Sequence, residues 1–136
     1  MTGEPTGMDD LLLAVRRFIA RRIDSAEQLE VLLLLYRDAS RYWDAAGIAD
    51  ALLLPERGVE RHLEALGGRN LLDIRLTQSL LYRFNPEPAE LALEVKQVAE
   101  AYRERRGDVL ALLAPRRKSL KDFSDAFRLS RDPADG

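Results

Sequence analysis

The 136-residue chain has no cysteine, one histidine, one tryptophan and two methionines, and its charges nearly cancel. Without cysteine there is no disulfide, no thiolate metal site and no cysteine nucleophile. His62 by itself cannot build a multi-histidine metal site, and it weighs against a Ser-His-Asp arrangement. The balance of 21 basic and 23 acidic side chains, net −2, denies the chain the global basic excess usual in nucleic-acid binders. Long hydrophobic runs are lacking too. The longest, Val31–Tyr36, falls far short of the roughly 20 residues that a membrane-spanning helix needs. The first ten residues are acidic and lack the basic-then-apolar order of an export signal, so a cytoplasmic protein is expected. The glycines are scattered and make no phosphate loop or dinucleotide fingerprint. Asp122 and Asp125 have no third ligand near them in sequence. No metal, cofactor or catalytic activity is therefore expected. With 46% hydrophobic and 32% charged residues the chain is an ordinary globular one, and its length suits a single domain.

What is present is helical periodicity. Residues 1–8, with Gly3, Pro5 and Gly7, read as a disordered lead, after which Asp9 or Asp10 caps a helix to about Ile23. In it Leu12, Val15, Phe18, Ile19 and Ile23 recur at helical spacing. Ser25 and Gln28 have capping-box spacing for a second helix, 26–38, so apolar around Val31–Tyr36 that it should be central. Ser40–Trp43 suits a brief strand or extended link, with Trp43 sealing the edge of the core or, alternatively, lining a ligand pocket with Tyr42. Asp44 caps a third helix, 45–53, and Pro55 launches a fourth, 56–66, ended by Gly67-Gly68, which is helix-turn-helix spacing. Residues 71–84 form a hairpin with Ile74, Leu80, Tyr82 and Phe84 on one face and Thr77-Gln78-Ser79 at the tip. A long helix over about 89–113 carries a seam of Leu91, Val95, Val98, Tyr102, Val109 and Leu112, interrupted by Arg105 and weakened at Gly107. The tail, 115–136, holds Arg116-Arg117-Lys118 and Lys121 ahead of an amphipathic stretch through Phe123 and Phe127.

The order helix, helix, short strand, helix-turn-helix, hairpin resembles the winged helix-turn-helix domain of MarR- and PadR-like bacterial transcriptional regulators. The residues that carry the likeness are Leu29–Tyr36, Ile48–Leu52, Val59–Leu66 and Asn70-Leu71-Leu72, within roughly 26–84. The segment Lys121–Leu129 is similar to the ends of small bacterial winged-helix proteins, a likeness that implies no activity. The fold expected is mainly α with a small β-hairpin wing and long terminal helices. It divides into a winged-helix domain at 9–84, a long C-terminal packing or dimerisation helix at 85–114, and an amphipathic basic tail at 115–136. The resemblance implies that the fourth helix recognises double-stranded DNA, that the hairpin is the wing, and that terminal helices form a homodimer.

Residue by residue, two readings stand beside each other. Arg57 and Arg61 oppose the apolar side of the fourth helix and suit guanine edges or phosphates. Arg75, Thr77, Gln78 and Arg83, with Arg69 close by, suit backbone contacts from the wing. Against this, Glu56, Glu60 and Glu64 form a stripe on the same fourth helix. They either pair with its arginines on a solvated face or turn toward a protein partner. The one stretch with a positive balance is 115–136, with 6 basic against 4 acidic side chains.

Overall fold

The computed structural model describes residues 3–113, with side chains from residue 12 onward. Its elements run α1 (Gly3–Arg22), α2 (Ala26–Arg37), α3 (Ala45–Leu52), α4 (Glu56–Gly68), β1 (Leu72–Leu76), β2 (Leu80–Phe84), α5 (Leu91–Glu104) and α6 (Arg106–Leu113). The expected basic tail lies outside the described residues.

Local chemistry sets most of these boundaries. The Gln28 N–H donates to Ser25 Oγ at 3.1 Å, which starts α2. The Gln28 amide oxygen reaches back to the Asp24 N–H at 2.9 Å, one residue further than a capping box requires. The Gly47 N–H donates to Asp44 Oδ1 at 2.8 Å and starts α3. That helix ends on Leu53 in the left-handed region (φ 58), where the Leu54 N–H returns to the Ala49 carbonyl at 3.0 Å. Pro55, already at the φ of −65 that its ring dictates, accepts from the Val59 N–H at 3.1 Å and opens α4. Leu53, Leu54 and Pro55 thus make the whole turn between two helices.

The strands β1 and β2 pair antiparallel from Leu72↔Phe84 to Leu76↔Leu80. Trp43 adds a single bridge to Tyr82, its N–H and carbonyl bonded at 2.8 and 2.7 Å. The extended link before α3 is therefore a one-residue third strand. In the centre, Leu29, Val31, Leu32 and Leu35 of α2 are fully buried. The helix touches α3, α4 and β2 as well as α5, and α1 packs along α5 and α6. An all-round apolar helix needs partners on every side, and this arrangement supplies them.

Three expectations are corrected. The first helix begins at Gly3, so residues 3–8 belong to it instead of leading up to a cap at Asp9 or Asp10. Gly67-Gly68 do not end the fourth helix but lie inside its last turn, and the chain leaves it through Asn70 at φ 66. The single long helix over 89–113 is two, broken at Arg105 (φ −132, ψ 51). There the Arg105 N–H still reaches the Ala101 carbonyl while its guanidinium pairs with Asp108 in the first turn of α6. The bend lays α6 on α1 and buries Val109 and Leu113. Most of the seam, Leu91, Val95, Val98, Tyr102 and Val109, is consequently buried inside the chain, and Leu112 stays half-buried. As the alternation indicates, Ile74 and Leu80 share the inner face of the hairpin with Tyr82 and Phe84, and they stay 44% and 46% exposed because no helix covers the hairpin's outer half.

Candidate nucleic-acid interface

Helix α4 has four distinct sides. Val59, Leu63 and Leu66 are fully buried and fix its inward face. At about 100° per residue, Arg57 and Arg61 then point away from the core, and both are exposed. On one flank His62 lies 3.5 Å from Glu27 and 3.4 Å from the Gln28 amide of α2. On the other flank Glu56, Glu60 and Glu64 face the hairpin, where they line a groove with Ile74, Leu80 and Tyr82. Gly67 marks the same flank, since a Cβ there would stand 2.8 Å from Ile74 Cδ1. The pairing of these glutamates with Arg57 and Arg61 does not occur: among the described residues no ion pair involves any of the five. All five side chains are exposed, and the three glutamates are the ones that border the groove.

The hairpin carries its charges on the face turned away from α4. Because side chains alternate along a strand, Asp73 and Arg75 oppose Ile74, which packs toward Gly67. Asp73 sits directly across from Arg83 and accepts from its Nη2 at 3.1 Å and from the Tyr42 hydroxyl at 2.6 Å. The Arg75 and Arg83 guanidiniums lie 4.5 and 4.8 Å from the centre of the Tyr42 ring, stacked as cations on its face. The Tyr42 hydrogen bond holds the Asp73 carboxyl below the usual carboxylate range, helped by the fields of Arg83 and Arg75 and opposed by desolvation. The same bond raises the Tyr42 hydroxyl above its ordinary value.

The sequence-derived site residues therefore separate. Arg57 and Arg61 stand together, exposed, on α4. Arg75 is exposed on the wing and paired with no acid among the described residues, whereas Arg83 is committed to Asp73. At the tip, the Thr77 N–H and hydroxyl both donate to the Ser79 carbonyl, at 2.9 and 3.2 Å, and Gln78 projects into solvent. Arg69 is no wing residue at all. Its guanidinium donates to the Arg22 carbonyl at 2.5 Å, to Gln28 Oε1 at 2.9 Å and to Asp24 at 3.0 Å, tying the end of α4 to the α1–α2 junction. Sequence reasoning missed this clamp and the Tyr42–Asp73–Arg83 network. The period-2 pattern gave the apolar face of the hairpin, but nothing in it announced Tyr42 as a platform for the charges on the other face. Trp43 is 8% exposed and seals the core edge, as expected, with its indole N–H lacking a partner among the described residues.

A two-helix unit α3–α4 seated on α2, followed by a hairpin that pairs with a bridge residue ahead of α3, defines a winged helix-turn-helix fold. No family model and no curated protein matches the chain. Among solved structures it is similar to the homodimeric winged helix-turn-helix DNA-binding domain of a possible ArsR-family transcriptional regulator from Mycobacterium bovis. The identity is 22% over 75% of this chain and 90% of that one, with a TM-score of 0.48. Among the described residues no helix is long and apolar enough to cross a membrane, and no three acidic or histidine side chains group as metal ligands.

Proposed function

We propose that the chain is a non-enzymatic, DNA-binding regulator of the winged-helix type, with α4 entering the major groove. The observation that supports this most is the outward side of α4, where Arg57 and Arg61 are exposed, one turn apart and without an acidic partner among the described residues, while Glu56, Glu60 and Glu64 line the groove beside the hairpin. A net charge of −2 does not prevent such a contact, because phosphate attraction acts over about 10 Å at moderate salt and is decided locally. Arg75, Thr77 and Gln78 supply backbone contacts from the wing, and Arg83 holds the wing face in shape through Asp73. Double-stranded DNA read in this way requires two copies in most two-fold regulators. The surface we assign to the homodimer is the α1–α6 groove, where Leu13 is 45% exposed and the half-buried Leu12 and Leu112 line the wall beside Arg16.

The test is fluorescence anisotropy on random duplex DNA across a salt series. Binding at low salt with a log–log salt slope that falls by about 2 in the Arg57→Ala/Arg61→Ala variant is the expected result. No binding of the folded chain to duplex at low salt overturns the proposal. For the dimer, sedimentation of Leu13→Glu reads the assembly directly: a wild-type dimer turned monomeric supports the α1–α6 surface.

A further inference from the structure

The flank of α4 that avoids the proposed DNA face forms a site of its own. Between α4 and the hairpin lies a groove of about 520 Å³, within the 300–1,000 Å³ range of organic-ligand sites. One wall is the row Glu56, Glu60, Glu64, which spans about 12 Å along the helix axis. The other is the uncovered half of the inner sheet face, Ile74 and Leu80. None of the three carboxylates has an ion-pair partner among the described residues. A second, independent observation comes from Tyr82, which lines the groove at 7% exposure. The Tyr42 and Tyr102 hydroxyls each donate to a carboxylate, whereas the Tyr82 hydroxyl, the end of an otherwise buried side chain that the groove leaves open to solvent, has no protein partner among the described residues. Burial, together with the fields of Glu60 and Glu64, raises its pKa, so the hydroxyl stays protonated and available as a donor at neutral pH.

Carboxylates in a concave, partly apolar wall focus their field outward and attract a cation. The three acids do not converge as metal ligands, which directs the site to an organic cation instead of an inorganic one. Open apolar side chains facing them call for an apolar body on the same molecule. We propose that this groove binds an amphipathic organic cation: Glu56, Glu60 and Glu64 hold the charged group, Ile74 and Leu80 cover the apolar body, and the Tyr82 hydroxyl donates to a polar atom of the ligand. The site does not depend on DNA binding and is read on the protein alone.

The experiment titrates the full chain with tetraphenylphosphonium, followed by amide NMR, with tetraphenylborate as the control of equal shape and opposite charge. Saturable shifts at Ile74 and Leu80 and at Ala45 and Ala46, which line the groove from the start of α3, and at least tenfold weaker binding of the borate, are expected. Glu60→Gln/Glu64→Gln, with an unchanged circular dichroism spectrum, weakens the phosphonium at least tenfold. Leu80→Lys, at an exposed rim position that folding tolerates, does the same by placing a competing cation there. Arg57→Ala/Arg61→Ala binds the phosphonium as the wild type does, so failure of the DNA proposal and failure of this one are distinct. Equal binding of the two ions, shifts confined to other surfaces, unchanged affinity in both groove variants, or no saturable binding at all overturns the proposal.

Discussion

Replacing Arg69 by alanine removes a clamp that joins three helices, and its cost follows from what each acceptor loses. The guanidinium, 29% exposed, donates to two neutral oxygens and one carboxylate. The carboxylate belongs to Asp24, which is 60% exposed, so that ion pair contributes at most about 1 kcal/mol. Gln28 Oε1 keeps the Asp24 N–H as donor after the change and suffers little. The Arg22 carbonyl, at the end of α1, has no such substitute and loses a charge-assisted bond, an effect of about 1.5–3 kcal/mol. The net expectation is a loss of about 2 kcal/mol, which for a chain of this size lowers Tm by about 8 °C. Arg69→Lys keeps the charge but not the fork that reaches several acceptors, and should recover no more than half. Urea unfolding followed by Trp43 fluorescence, with an unchanged m-value, measures both variants. A loss in Arg69→Ala below about 0.5 kcal/mol, or full recovery by lysine, would refute the reasoning. Folded Arg69→Ala should also keep the wild-type salt slope on DNA, because the residue faces α1 and α2.

Three further outcomes follow from the backbone and the wing. Leu53 is 90% exposed and left-handed, so Leu53→Gly gives up no packing and relieves strain, raising stability by about 1 kcal/mol in the same assay; a decrease would contradict it. Gly58 lies within α4 with nothing within 4 Å of a Cβ, and Gly58→Ala should gain about 1 kcal/mol of helix propensity without altering DNA affinity. Tyr42→Phe removes the hydrogen bond that chiefly depresses Asp73, so its carboxyl titrates closer to the ordinary value by carbon NMR. The folded-state value lies below the unfolded one. Its contribution to stability is therefore complete above the unfolded value of about 3.9 and lost as pH falls through the folded one. In the variant that acid-side window narrows, and an unmoved Asp73 titration would show that Arg83 and Arg75 suffice.

Much of the fold was legible because it is written in short-range patterns. The Ser25 and Asp44 caps, the turn before Pro55 and the hairpin tip at 77–79 depend on neighbours within four residues, and they occur where spacing placed them. The break at Arg105 was visible only as a polar interruption. Whether a helix bends or continues there depends on what α6 gains by packing on α1, a contact between the first and last helices of the described residues. The α4 arginines and glutamates were legible as types and as faces of a wheel. Their separation into a solvent side and a groove side was not, because a wheel has no hairpin beside it.

The sequence by itself determined which segments are helical, the hairpin, the central place of α2 and the identity of the charged stripes, since hydrophobic period and capping act locally. Only the tertiary structure decided which charges are spent and which are free. Arg69 and Arg83 are neutralised by Asp24 and Asp73, brought to them from other turns of the chain. Arg57 and Arg61 are left bare, and the glutamates of α4 face the sheet across a groove. Electrostatic interactions depend on distance in space, and for side chains on different elements that distance exists only once the elements have packed.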